Sequence, residues 1–363
     1  MLSLKKISRM NIGERIRELR IERGFSQDDL ALRSNFSKSY IQKFEEGQRE
    51  IKSSQMAQLA EAFGIDISEI IKPIDYVSNE FVIKNIEFRE ANKLQMHVDY
   101  FEKKILGILY KKYSTYARLE KILNENITFL NPLKNFDVIT ANENVEEAAR
   151  ILRKKWKFEN TPIYDVITFL EDLGVKIFEV MEDEDFVGFS CWVKNTPIIV
   201  INTRSTDVSR RRFTILHELA HLLLLFKADE RKDKIERYCD QFAGAMLLPE
   251  DTLKSYVNST VSITLEELKR IKSKYGISIL AILVRMVNVR LITWEKYHQW
   301  KEMYRSWSDK DSEYSGRESA GRFKYLLAKG LREGLITKDL ASELSEIPMS
   351  QLSSSSINQE FLF

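Results

Sequence analysis

The sequence predicts a multidomain chain: an all-α N-terminal helix-turn-helix domain, a helical connector, an α+β domain with a small sheet, and a helical C-terminal region. Three observations predict it. Residues 1–72 hold short amphipathic runs punctuated by Ser and Gly at helix-cap and helix-stop positions. Residues 73–141 are charged and helix-prone, without a second clear period. Residues 142–290 mix helical patterns with three short strand-like runs, and 291–363 return to helical patterning with a loose tail around Ser353–Ser356. A chain of 363 residues has room for two or three domains.

The elements follow in order. Asn11 precedes an amphipathic run with Ile12, Ile16 and Leu19 on one face, and Gly24 stops it. Ser26 caps a second helix, Gln27 to about Arg33, with Leu30 and Ala31 inward. Ser37 caps a third, Lys38 to about Glu46, closed by Gly47. A fourth starts at Ser53 or Ser54, with Met56, Leu59, Ala60 and Phe63 on one face, and ends at Gly64. Ile67, Ile70 and Ile71 suit a short fifth, stopped near Pro73. Residues 100–123 are helical in period and suit a spacer helix, a dimerisation surface or a hairpin. Asn142 caps a helix with Val145, Ala148, Ala149, Leu152 and Trp156 on one side. Thr161-Pro162 opens another, with Pro where its missing N–H costs nothing, and Gly174 ends it. Val175–Val180, Phe186–Val193 and Ile198–Asn202 read as strands, the last two joined by a turn over Lys194–Pro197. A long apolar helix follows over about Val208–Phe226, then a charged loop, then a helix from about Lys234 to Leu248, ended by Pro249.

Composition limits the function classes. Hydrophobic residues make up 44% and charged residues 30%, a soluble globular mix. The net charge is +2, so any polyanion contact must be local. No apolar run approaches the roughly 18 residues of a membrane span. The N-terminus has no apolar core ahead of a small-residue cleavage site. Cys191 and Cys239 are the two cysteines, which suits a reducing compartment, and a cytoplasmic location is expected.

Four histidines occur: His97, His217, His221 and His298. His217-Glu218-Leu219-Ala220-His221 is HExxH on an apolar helix. Positions i and i+4 share a face, so both imidazoles can reach one divalent ion, with zinc the expected metal and manganese an alternative. Glu218 stands beside the first imidazole, where a carboxylate can take a proton from an attacking water and pass it to a leaving amine. A third ligand is needed, and Glu230, Glu236, Cys239 and Asp240 follow the loop. The pattern favours Glu236, on the side of its helix shared with Cys239, Asp240 and Ala243; the competing reading is a surface carboxylate paired with Lys234 or Arg237. His97 and His298 read as lone surface or packing residues.

At the N-terminus, residues 1–52 carry 12 Lys/Arg and 8 Asp/Glu, a local excess of +4. The second helix, the three-residue turn Ser34–Phe36 and the third helix have helix-turn-helix spacing. Lys38, Ser39, Gln42 and Lys43, near the start of the third helix, would face a major groove, and Gln27 suits a phosphate contact. A solvated helix face is the competing reading for the lysines.

Two resemblances follow from these residues. Residues 12–50 resemble the XRE, phage-repressor-like, helix-turn-helix family at Ser26-Gln27, Leu30-Ala31, Ser37, Ile41, Glu45 and Gly47. The resemblance implies a double-stranded DNA operator as partner and a structural pairing of Arg20 with Glu45. Glu46 and Glu50 put negative charge near the DNA face, which favours a homodimer on a paired site. Residues 142–300 resemble the ImmA/IrrE family of zinc metallopeptidases, through Arg212-Phe213, the HExxH, Glu236 before Cys239, Phe242-Ala243 and Leu247-Leu248-Pro249. That resemblance implies a zincin-like fold, His217, His221 and Glu236 as zinc ligands, and Glu218 as general base. It also implies endopeptidase action on a transcription-factor substrate, a partner repressor or the chain itself. Ala220 and Cys239 depart from the family's usual Gly and Ala. The alternatives are a regulator whose HExxH domain senses a metal or small ligand without turnover, and an antitoxin-like module. A zincin takes extended peptide along a sheet edge, and Val187–Trp192, with Gly188 leaving room, is either that edge or an interior strand.

Overall fold

The computed structural model describes residues 12–23, 25–46, 48–49, 51–65, 67, 70, 83–88, 95–181, 187–204, 207–257, 263–305, 314–345 and 347–349. The chain divides into two compact units, residues 1–82 and 83–363.

The first unit is all-α. It contains α1 (Ile12–Glu22), α2 (Gln27–Ser34), α3 (Lys38–Glu45) and α4 (Ser53–Phe63). The expected caps form. Ser26 Oγ accepts from Asp29 N–H, and the Asp29 carboxylate accepts from Ser26 N–H, closing a capping box. Ser37 Oγ accepts from Tyr40 N–H. The turn between α2 and α3 is made by Asn35 at φ 56°, a left-handed conformation that Asn tolerates. Ile16, Leu30, Ile41, Phe44 and Leu59 are fully buried and fill the space between the helices. Each such side chain contributes about 1.5–3 kcal/mol relative to exposure. Most of the proposed fifth helix, and the stops at Gly24 and Gly47, lie outside the described residues.

The second unit is α+β with a helical C-terminal region. Its four-stranded sheet has the order β1-β3-β4-β2, from β1 (Ile83–Phe88), β2 (Lys176–Val180), β3 (Gly188–Val193) and β4 (Thr196–Asn202). β2 and β4 are parallel; β3 runs antiparallel to both its neighbours. The helices are α5 (Gln95–Leu123), α6 (Asn142–Lys155), α7 (Val166–Asp172), α8 (Val208–Leu223), α9 (Lys232–Leu247), α10 (Glu250–Tyr256), α11 (Leu265–Tyr275), α12 (Ile279–Asn288), α13 (Trp294–Arg305), α14 (Arg322–Arg332) and α15 (Lys338–Ser345). The apolar α8 lies against β3 and β4 and against α9, and α9 packs on α6 and α12. One core runs through these elements, including Ile199, Ile215, Leu219, Phe242 and Leu283.

Several expectations need correction. Residues 83–88 form a strand inside what reads as helical connector. β3 is therefore an interior strand, which decides against Val187–Trp192 as a free edge. The β3–β4 hairpin turns on Lys194 and Asn195 alone, with Lys194 at φ 55°, and Thr196 and Pro197 already belong to β4. Thr161-Pro162 does not open a helix; α7 starts at Val166 with Asp165 as its cap. Before that cap the backbone is held by Arg212, whose buried guanidinium donates to the Ile163 and Tyr164 carbonyls. Asn142 does not cap α6. Ala141 occupies that place, and Asn144 Oδ1 accepts from the Ala141 N–H. Residues 95–123 form one continuous helix rather than a hairpin, and its C-terminal half packs within this unit on α14 and α15.

Candidate metal centre and nucleic-acid interface

α8 carries the HExxH pair. Asp207 caps it, its Oδ1 accepting from Ser209 and Arg210 N–H, and every residue from Thr214 to Ala220 is buried. His217 and Glu218 are wholly buried, while the His221 side chain is 9% exposed. The two imidazoles turn their Nε2 atoms toward one point, 3.2 Å apart. α9 brings Glu236 to the same point. Its Oε2 is 3.2 Å from His217 Nε2 and its Oε1 is 3.3 Å from His221 Nε2. Burial pushes the Glu236 carboxyl up, but the two imidazoles outweigh that and hold it well below the usual carboxylate range.

These distances test whether a metal fits. A tetrahedral zinc with donors about 2.0–2.1 Å away spaces those donors about 3.3–3.4 Å from each other. The three spacings, those to Glu236 being to its two different oxygens, are each close to a donor–donor edge of such a tetrahedron. The Glu236 side chain is 37% exposed, so solvent reaches the site from its side. Zinc is thus compatible with the residues present.

Asp240, one turn further along α9, is not aimed at that point. Its Oδ1 accepts from His217 Nδ1 at 2.8 Å. A proton on Nδ1 leaves the Nε2 lone pair to face the site, and the carboxylate fixes the ring. Sequence reasoning lists Asp240 only as a rival ligand; its place four residues after Glu236, on the same helix face, is the signal for the supporting position. Glu230 pairs instead with Lys234 at 2.9 Å. Arg237 pairs with Asp233, so neither basic residue near Glu236 is its partner in these ion pairs. Cys239 Sγ lies within 4.8 Å of the imidazole donors. Its thiol is fully buried, and burial pushes it up to about 11.

Glu218 points to the sheet side. Ser190 Oγ on β3 donates to Glu218 Oε2 at 2.9 Å. Gly188 lets β3 approach this helix. A Cβ there would meet Val200 O at 2.9 Å and Thr214 Cγ2 at 3.2 Å, with Glu218 Cγ at 3.7 Å. The room that Gly188 leaves on this face of the strand is therefore taken by the β4 backbone and the HExxH helix, and not by a peptide.

Arg212 braces the helix from behind. It is fully buried, and its guanidinium donates to Gly276 O (3.2 Å), Tyr164 O (3.0 Å), Ile163 O and the Glu318 carboxylate. Glu318 in turn accepts from the Val166 and Ile167 N–H groups that open α7. Burial raises the Glu318 carboxyl, and Arg212 opposes that rise.

In the first unit, Lys38, Ser39, Gln42 and Lys43 are all exposed on one face of α3, while Ile41, Phe44 and Glu45 face inward. Lys38 Nζ is 2.7 Å from Asp28 Oδ2, an exposed pair worth little in water. Gln42 donates to Glu46 at 2.9 Å. The expected Arg20–Glu45 pairing is present and bidentate, at 2.6 and 3.0 Å. Gln27 joins it, its amide donating to Glu45 at 2.8 Å, so its side chain buttresses α3. Arg49, which with the lysines also suits a solvated helix face, lies 3.9 Å over the Tyr40 ring beside the same helix.

Comparisons with known proteins give matches to two parts of the chain. The IrrE N-terminal-like domain of peptidase family M78 matches residues 170–287. A helix-turn-helix domain matches residues 13–75. An uncharacterized HTH-type transcriptional regulator, y4dJ, of Sinorhizobium fredii (strain NBRC 101917 / NGR234) is 33% identical over 64 residues, covering 18% of this chain and 83% of that protein. Among solved structures, the restriction-modification controller protein C.AhdI from Aeromonas hydrophila is 35% identical, over 18% of this chain and 97% of its own, with a TM-score of 0.17. The clp gene regulator ClgR from C. glutamicum is 25% identical, over 17% and 82%, also with a TM-score of 0.17. Among the described residues no helix is long and apolar enough to cross a membrane. The chain belongs to the XRE-type helix-turn-helix transcriptional regulators and carries behind its DNA-binding domain an IrrE N-terminal-like domain of the ImmA/IrrE family.

Proposed function

We propose that this regulator is a DNA-associated, zinc-dependent endopeptidase that cuts a transcription-factor protein. Its domains are taken as 1–72 for DNA binding, 73–141 as connector, 142–290 for the peptidase and 291–363 as the helical C-terminal region. The observation that carries the reading is the triangle of His217, His221 and Glu236 donors beside a buried Glu218.

His217, His221 and Glu236 would hold the ion, and Asp240 keeps the His217 ring oriented. When bound, the cation supplies Lewis acidity toward a carbonyl and acidifies water. Glu218 would take the proton of the attacking water as the C–O bond forms and then deliver it to the amine nitrogen, so that the peptide C–N bond breaks with a neutral amine leaving. Ser190 holds the other Glu218 oxygen in place during both transfers. His221→Ala is expected to lower bound zinc in elemental analysis of the purified chain; an unchanged metal-to-protein ratio contradicts the ligand set.

The exposed face of α3 supports duplex DNA as the partner of the first unit. Lys38 and Lys43 would leave water for phosphate or guanine acceptors in the major groove, with Ser39 and Gln42 beside them and the Gln27 backbone at a helix N-terminus suited to phosphate. Lys38→Ala with Lys43→Ala is expected to weaken operator binding about tenfold or more in a gel shift, with a smaller salt dependence. Unchanged binding contradicts their assignment.

A further inference from the structure

The strand expected to receive substrate already has a partner. β3 is the sheet strand nearest Glu218, through Ser190 Oγ and through Gly188. One of its edges is taken by β4. The other, the edge to which an extended peptide would add, is taken by β1, with Lys84 opposite Trp192, Glu87 opposite Ser190 and Phe88 opposite Phe189. The pairing is antiparallel and reaches the residue whose hydroxyl holds Glu218. The register also shifts between Lys84 and Glu87, so the ladder is interrupted rather than continuous. A broken ladder is a weaker one. In the chain, β1 follows closely on the residues that match the helix-turn-helix domain, which end at 75.

We propose that Ile83–Phe88 is an intramolecular occupant of the substrate edge of β3, which must leave before an extended peptide can add there. This rests on the peptidase reading for the identity of that edge. A tethered strand competes at an effective concentration on the order of millimolar, so it excludes ordinary peptide ligands without needing high intrinsic affinity. Its release exposes the β3 backbone groups beside Glu218, and the incoming strand takes over the same pairing mode. The segment thereby sets a threshold: a substrate must outcompete this strand, or some event on the preceding segment must draw it away.

The test uses the full-length chain carrying Glu218→Gln, so that bound peptide is not consumed. Residues 83–88 are replaced by a Gly/Ser run of equal length. The probe is a fluorescein-labelled peptide of sequence Ile-Lys-Asn-Ile-Glu-Phe, followed by fluorescence anisotropy. The replaced chain is expected to bind it about tenfold tighter or better than the chain with its own β1. Equal binding to both, or binding to neither, overturns the proposal. Glu87→Pro is the milder second variant. It removes one N–H opposite Ser190 and leaves the rest of the segment, and it is expected to shift binding in the same direction. Zinc-loaded chains with native Glu218 provide a separate arm on denatured casein. Faster cleavage after replacement supports the proposal, and self-cleavage of the intact chain within 83–88 overturns it in favour of a substrate role. If neither chain cuts casein, the peptidase reading fails while the anisotropy result still decides who occupies the edge.

Discussion

Glu218→Gln is expected to keep its zinc and lose peptide cleavage by about 10²–10⁴-fold, the usual contribution of a positioned acid–base group. The amide is nearly the same size as the carboxylate, so the fully buried site can retain its packing, and it can still meet Ser190 Oγ. What it loses is the ability to take up a proton. The proposed ligand atoms, on His217, His221 and Glu236, are untouched. Metal content and cleavage of a candidate repressor, measured on one preparation, separate the two roles. Equal cleavage by the variant would remove Glu218 as the base. Loss of zinc together with cleavage would make it part of the metal's support.

Arg212→Ala is expected to destabilise the second unit by about 3–5 kcal/mol, the cost of breaking a buried ion pair from one side. Arg212 and Glu318 are both fully enclosed as side chains. Removing the guanidinium leaves a buried carboxylate and strands the carbonyls of Tyr164 and Gly276, which then have no donor from that side. The same change loosens the backbone at Ile163–Tyr164 and the opening of α7. Urea unfolding of the full chain, followed by tryptophan fluorescence, measures it. A loss under about 1 kcal/mol would mean that Arg212 contributes no more than an exposed pair.

The two constellations differ in how far sequence alone could carry them. Cap chemistry is local: Ser26 with Asp29, and Ser37 with the start of α3, act within one helical turn, so both helices are legible within a residue or two. His217 and His221 are likewise fixed by helical spacing. Glu236 needs a second helix to fold back, yet the face shared with Cys239 and Asp240 points to it. Glu318 has no such local signal. It meets Arg212 across 106 positions, and only the folded chain reveals that its carboxylate accepts from the first N–H groups of α7, which Asp165 caps. β1 escaped for a related reason. Its short run, Ile-Lys-Asn-Ile-Glu-Phe, has weak alternation and gains its strand geometry by pairing with β3. With β1 unseen, β3 could equally be an edge or an interior strand. Gly188 reads as room for a ligand, whereas the β4 carbonyl of Val200 and Thr214 of α8 come close to it.

X-ray absorption at the zinc edge of the purified, metal-loaded chain addresses the donor set most directly. The geometry predicts two imidazole nitrogens and carboxylate oxygen at about 2.0–2.1 Å, with no sulfur shell. A sulfur scatterer at about 2.3 Å would put Cys239 in place of Glu236. A chain that retains no divalent metal would contradict the metal centre itself.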